Sequence, residues 1–165
     1  HSVLLQSKDF SAAISKFMRH PSSLKSQLMR SRSIGAIATF HGMVRDSSED
    51  SSLISLSLEH YPGMSEKALD EIARKATKKW SLGSATIIHR VGRLKPEEMI
   101  VFVGCASAHR HDAFDGCRYI MDFLKTDAPF WKAEETKEGM FWVSERTTDK
   151  RAVQSWLLRE QKQRG

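Results

Sequence analysis

Hydrophobic positions along this 165-residue chain change their period several times, and each change separates one predicted element from the next. A short apolar start, Val3-Leu4-Leu5, precedes a run in which Ile14, Phe17 and Met18 recur at helical spacing. Asp9 or Ser11 caps that helix and Pro21 ends it. The stretch 22–33 is rich in Ser, Lys and Arg, and its Leu24, Leu28 and Met29 make it either a short helix or a connection. From residue 34 the pattern becomes that of a strand, running over 35–40 and on to Val44, and a polar loop follows over 47–52. Ile54, Leu56 and Leu58 alternate with serines, the period of a half-buried strand. After the turn Tyr61-Pro62-Gly63, a helix over 64–80 buries Met64, Ala68, Leu69, Ile72, Ala76 and Trp80. Its outer face carries Asp70 with Arg74 and Glu71 with Lys75, each four residues apart.

Gly83 suits the end of that helix. The strand 85–91 places Ile87, His89 and Val91 on one face, and a turn at Pro96 leads into 100–106, an unbroken apolar run that reads as a central strand buried on both faces. A helix then starts with Asp112 as N-cap and Asp115 three residues in. Phe114, Cys117, Met121 and Leu124 form its apolar stripe, and Pro129 stops it by about residue 128. A turn over 136–139, a short strand 141–143 and an amphipathic helix 149–163 with Val153, Trp156 and Leu157 complete the chain. This order predicts an α+β fold in which helices cover a mixed or mostly antiparallel sheet. The organisation expected is an N-terminal extension over 1–33, a principal domain over 34–148 and a C-terminal helix over 149–165.

Composition narrows the class. With 40% hydrophobic and 28% charged residues the chain reads as a folded globular protein. No apolar run approaches the ~20 residues of a membrane span, so no membrane role is expected and the cytoplasm is the expected compartment. The two cysteines, Cys105 and Cys117, form no C-x-x-C pair, which argues against a disulfide framework or a cysteine zinc site; Cys105 in an apolar run and Cys117 on an apolar helix face read as core residues. A formal charge of +6 points to an anionic partner: nucleic acid, a phosphorylated small molecule or an acidic protein surface.

The densest chemistry lies in 107–132, SAHRHDAFDGCRYIMDFLKTDAPFWK. His109, Arg110 and His111 stand at the start of a helix, where free N–H groups and the dipole already favour an anion. Lys125 follows Met121 by four residues, at the edge of the buried face. There a lysine serves either as a nucleophile or base, or as a stem covering the core. Lys132 lies past Pro129 and is aimed by the Pro-Phe-Trp segment. Arg45 ends a strand beside a polar loop, from which it can reach a pocket or solvent. The remaining histidines share no metal spacing, and no phosphate-binding or nucleophile-elbow motif occurs.

These residues stand in segments that resemble the large, catalytic subunit of molybdopterin synthase: GAIATFHGMVRD (35–46), LSLEHYPGMSEKAL (56–69), IIHRVGRLKPEE (87–98), the strand ending in SAHR, and MDFLKTDAPFWKAE (121–134). They follow the family's order and spacing over roughly 34–146. The N-terminal 33 residues match poorly, and the tail after Arg146 only loosely.

The resemblance implies an α/β-hammerhead-like domain with an added α+β subdomain. It also implies an enzyme that builds the molybdopterin dithiolene from cyclic pyranopterin monophosphate. Sulfur would arrive as a thiocarboxylate on the C-terminal Gly-Gly tail of a small ubiquitin-like carrier subunit, within a heterotetramer built on a homodimer. By motif, the catalytic residues would be Lys125 and Lys132, and the substrate-binding residues Arg45, His109, Arg110, Phe40, Met121 and Arg146, the last supplied across the dimer. No metal or cofactor is implied for this step. The competing class is a basic nucleic-acid-binding module, which predicts aromatics interleaved with Lys and Arg on an exposed sheet. The aliphatic strands of this chain argue against it.

Overall fold

The computed structural model describes residues 2–6, 34–45, 47–48, 51–143 and 147–162. In chain order the elements are β1 (Ser2–Gln6), β2 (Ala36–Met43), β3 (Ser47–Ser48), β4 (Ser51–Ser52), β5 (Ser55–His60) and α1 (Met64–Lys79). Then come β6 (Ser84–Arg90), β7 (Gly92–Leu94), β8 (Met99–Ser107), α2 (Arg110–Asp127), β9 (Phe130–Thr136), β10 (Gly139–Val143) and α3 (Thr147–Lys162). One sheet has the order β1-β6-β8-β2 and a second the order β10-β9-β5-β7. β1 runs parallel to β6, and every other pairing in these two sheets is antiparallel. This is the α+β architecture that the patterning predicts. The helix expected over 9–20 and the stretch 22–33 lie outside the described residues.

The apolar run of β8 is buried from Val101 to Ser107, and β6 beside it from Ser84 to His89. α1 and α2 cover this sheet, sharing a core with Leu69, Ile72, Ile87, Val103, Ile120 and Leu124. α2 approaches closely because Gly116 has no side chain: a Cβ there would lie 2.9 Å from a Leu82 methyl. α3 packs on α2 through Trp156, whose ring meets Trp80 and Tyr119 edge-on at 5.5 and 5.6 Å. A smaller cluster of Val44, Leu53, Leu56, Leu58 and Leu94 fills the second sheet, and Ile100 touches both cores.

Several details depart from the patterning. α2 begins at Arg110, with His109 as its N-cap in extended conformation, so Asp112 lies inside the first turn. Its buried stripe is centred on Ala113, Cys117, Ile120 and Leu124, which leaves Phe114 65% exposed. Met64 is exposed because it is the first residue of its helix and has not yet turned to the core. Leu157 lies on the outer side of α3, and Ile54 precedes its strand and faces out. On α1, Glu71 pairs with Lys75 at 3.2 Å and with Arg74 at 3.9 Å. The polar loop over 47–52 contains a minimal antiparallel pair, β3 with β4. C-terminally, α3 starts at Thr147, two residues ahead of expectation.

Two strands escape periodicity. β7 has three residues, too few for a pattern. β9 carries Phe130, Lys132 and Glu134 on one face and Trp131, Ala133 and Glu135 on the other, so charges on both faces hide its alternation. The Pro-Phe-Trp segment is therefore the beginning of a strand, and Lys132 is placed by sheet register.

Candidate active site

Between the two sheets and the C-terminal end of α2 lies a cavity of about 590 Å³. Each of its cations comes from a different element. Arg45 follows β2, whose last residues bulge at Gly42/Met43. The Val44 N–H donates to the Glu98 carbonyl, and the Glu97 N–H donates to the Val44 carbonyl, both at 2.8 Å. These two bonds fix the backbone from which Arg45 lines the cavity.

Lys125 is in the last turn of α2, where the helix dipole favours a positive charge. It lines the cavity one turn beyond Met121, and its Nζ lies 3.5 Å from Asp149 Oδ1. Lys132 stands in β9 opposite Leu58 on one side and Val143 on the other. Alternation puts it on the same face as Phe130 and Glu134, and all three line the cavity. Arg45, Lys125 and Lys132 thus share one space with Glu134 and Asp149. Phe40 and Met121 form part of its apolar wall. Such a wall strengthens the pull of the three cations on any anion that enters.

His89 also lines this cavity, a residue that sequence reading placed only on a strand face. It is buried, stacks on Phe130 with ring centroids 4.2 Å apart, and its Nδ1 lies 2.7 Å from the Arg90 carbonyl. A carbonyl only accepts, so Nδ1 carries the proton and Nε2 holds the free lone pair. Burial, with smaller contributions from Lys132 and His60, pushes its pKa down to about 4. His89 is therefore a neutral imidazole at neutral pH.

Between 6.5 and about 4 the unfolded chain binds a proton at His89 that the folded chain refuses, so stability falls as pH falls through that window. Relative to pH 7, the loss at pH 5 should be about 2 kcal/mol. Urea unfolding at the two pH values measures it, and His89→Gln should remove that share of the difference. An unchanged difference in the variant would contradict the assignment.

The remaining sequence-predicted residues lie elsewhere. His109 and Arg110 begin α2, whereas Lys125 is in its last turn. Fifteen residues at 1.5 Å each separate Arg110 from Lys125 by about 22 Å. Within one chain, the basic cluster at the helix start and the lysines at its end are thus two places. Arg146 lies outside the described residues. Cys105 and Cys117 are both buried free thiols, as the apolar pattern predicts. Their mutual hydrogen bond, then burial, pushes the Cys105 pKa up, which keeps that thiol protonated. Among the described residues, no group of three or more His, Cys, Asp or Glu could hold a metal ion. No helix in the described part is long and apolar enough to cross a membrane.

Sequence reasoning also missed the surface beside the cavity. β10 is the edge of its sheet, and Met140, Phe141, Trp142 and Val143 are all exposed. Trp131 on β9 is exposed as well. Val143 belongs both to this apolar edge and to the cavity.

Fold and cavity together define an α+β protein in which Arg45, Lys125 and Lys132 line one cavity. A family model described as "MoaE protein" matches residues 17–127. A curated relative from Pseudomonas aeruginosa, a molybdopterin synthase catalytic subunit, is 55% identical over 123 residues, covering 74% of this chain and 82% of its own. A Vibrio cholerae relative with the same description is 43% identical over 156 residues, covering 94% and 98%. The solved MoaE protein from Burkholderia ambifaria superposes with a TM-score of 0.72 at 42% identity, over 94% of this chain and 97% of that one. The chain belongs to the MoaE family, that of the molybdopterin synthase catalytic subunits.

Proposed function

We propose that this cavity transfers sulfur from a thiocarboxylated carrier protein to cyclic pyranopterin monophosphate, forming the dithiolene of molybdopterin. The observation that carries the reading is the convergence of Arg45, Lys125 and Lys132 from three elements into one cavity. Both reactants are anions, a cyclic phosphate and a thiocarboxylate, and they repel each other. Three fixed cations offset that repulsion and orient both partners, the main contribution a protein can make to such a displacement.

The thiocarboxylate sulfur attacks an oxygen-bearing side-chain carbon of the pterin. The C–S bond forms as that carbon's C–O bond breaks, the oxygen leaving as the opened phosphate ester or, once protonated, as water, and the carrier stays joined as a thioester. Water then attacks the acyl carbon, the acyl C–S bond breaks, and the carrier leaves as a carboxylate while sulfur stays on the pterin. A second carrier supplies the second sulfur. Lys125 supplies the central acid/base or electrostatic role, Lys132 stabilises negative charge, and Phe40 and Met121 pack against the pterin.

The carrier is a small ubiquitin-like subunit with a C-terminal Gly-Gly thiocarboxylate, in a heterotetramer built on a homodimer. Two features support a second copy. The apolar edge strand β10 offers it a contact face that continues into the cavity through Val143. His109 and Arg110, set about 22 Å from Lys125 by the length of α2, would join the cavity of another copy rather than their own. Arg146, three residues past Val143, would serve the same shared site. Free buried thiols suit the reducing cytoplasm.

The exposed aromatics Trp131, Phe141 and Trp142 are the feature a nucleic-acid reading would use. The test combines the purified chain, a thiocarboxylated carrier and the pyranopterin substrate, and looks for dithiolene product. Product formation supports the reading. No product, together with tight salt-dependent RNA binding, would replace it with the nucleic-acid alternative.

A further inference from the structure

We propose that Asp149 is the positioning residue for Lys125, holding its ammonium at the cavity wall until an anionic reactant displaces the carboxylate. The inference rests on the sulfur-transfer reading of the same cavity and adds a residue to it. Asp149 lies in the first turn of α3, and its carboxylate both lines the cavity and approaches Lys125 Nζ to 3.5 Å. Lysine is a point charge on a four-carbon stem with several rotatable bonds, so a lysine required at one spot needs something to hold it there. Neither Met121, one turn earlier, nor the apolar wall can direct an ammonium.

α3 is itself held firmly enough to serve as the anchor. Trp156 is buried against Trp80 and Tyr119, and its Nε1–H donates to Asp122 Oδ2 at 2.8 Å. Asp122 precedes Lys125 by three residues on α2, so two polar links one turn apart join the same pair of helices. One link, Trp156 to Asp122, lies outside the lining of the cavity. The other ends inside it.

The charges around Lys125 make the carboxylate's role specific. Arg45 and Lys132 share the cavity and repel an ammonium, and Glu134 attracts one from β9. Without Asp149 the Lys125 side chain would be free to swing toward Glu134 or out to solvent, where its side chain is already 45% exposed. The incoming phosphate or thiocarboxylate carries the same charge as Asp149 and can take over the ammonium by exchange. Binding of the reactant thereby delivers Lys125 already placed.

Two measurements on Asp149→Asn and Asp149→Glu in the full chain test this. The first needs no turnover. Pyridoxal 5′-phosphate condenses with a lysine Nζ, losing water, and borohydride reduces the resulting C=N bond to a stable amine that peptide mass mapping locates. An ammonium held by a carboxylate reacts slowly. Labelling of Lys125 should therefore rise about threefold or more in Asp149→Asn, with Lys132 labelling unchanged and Asp149→Glu near wild type. Equal Lys125 labelling in wild type and Asp149→Asn would overturn the proposal.

The second measurement is the rate of dithiolene formation over a range of substrate concentrations. Here kcat should fall on the order of tenfold or more in Asp149→Asn while KM changes little, with partial recovery in Asp149→Glu. A loss that follows only a lowered melting temperature, with no recovery in Asp149→Glu, would assign Asp149 to holding the helix start and overturn the proposal. A wild-type chain that makes no product would condemn the sulfur-transfer reading, and the labelling result would still decide whether Asp149 holds Lys125.

Discussion

Replacing Lys125 by methionine should slow single-turnover dithiolene formation by on the order of 10²–10³-fold. Methionine keeps the length and apolar character of the stem, so the wall around Met121 stays filled and only the charged end is lost. The fold should tolerate the change. The side chain is half-exposed and its ion pair with Asp149 is open to solvent, and such pairs contribute roughly 0–1 kcal/mol. A melting temperature close to wild type with activity nearly abolished would separate a chemical role from a structural one. Retained activity would return Lys125 to the reading in which its stem merely covers the core.

The second large effect concerns the division of the site between copies. His109→Ala with Arg110→Ala in one chain, and Lys125→Met in the other, should each give nearly inactive homodimers. Mixed after dissociation and reassociation, they should recover roughly a quarter of wild-type activity. Random pairing makes half of the molecules heterodimers, each with one intact site of two. The physical basis is the length of α2, which sets its basic start about 22 Å from its terminal lysine. If the His109/Arg110 double variant keeps full activity, or mixing restores nothing, the two ends of the helix do not serve one shared site.

Much of this was legible in the sequence, for identifiable reasons. The apolar run of β8 and the long 3.6-residue periods of α1 and α2 are strong signals, because burial on two faces or along one stripe leaves a regular trace. Lys125 could be placed at the edge of a buried face from its spacing to Met121 alone. Lys132 could not be placed, because β9 alternates charged residues on both faces and its register comes from pairing with β5. His89 was hidden for a different reason. Its burial and lowered pKa arise from Phe130 and Lys132, some forty residues further along, and no local pattern records that contact. Asp149 likewise reads as an ordinary first-turn carboxylate until α3 is docked on α2. The local cluster His109-Arg110-His111 is close to the lysines in sequence, but within one chain the length of α2 sets Arg110 about 22 Å from Lys125.

In the proposed reaction sulfur passes from a carrier thiocarboxylate to the pterin in a cavity lined by Arg45, Lys125 and Lys132. Simultaneous mass analysis of carrier and pterin in one reconstituted reaction tests it most directly. Each dithiolene formed should be matched by two carriers that exchange their terminal sulfur for oxygen, and Lys125→Met should stop both changes together. Carriers hydrolysed without sulfur appearing on the pterin, or dithiolene formed at an undiminished rate by the Lys125→Met chain, would contradict it.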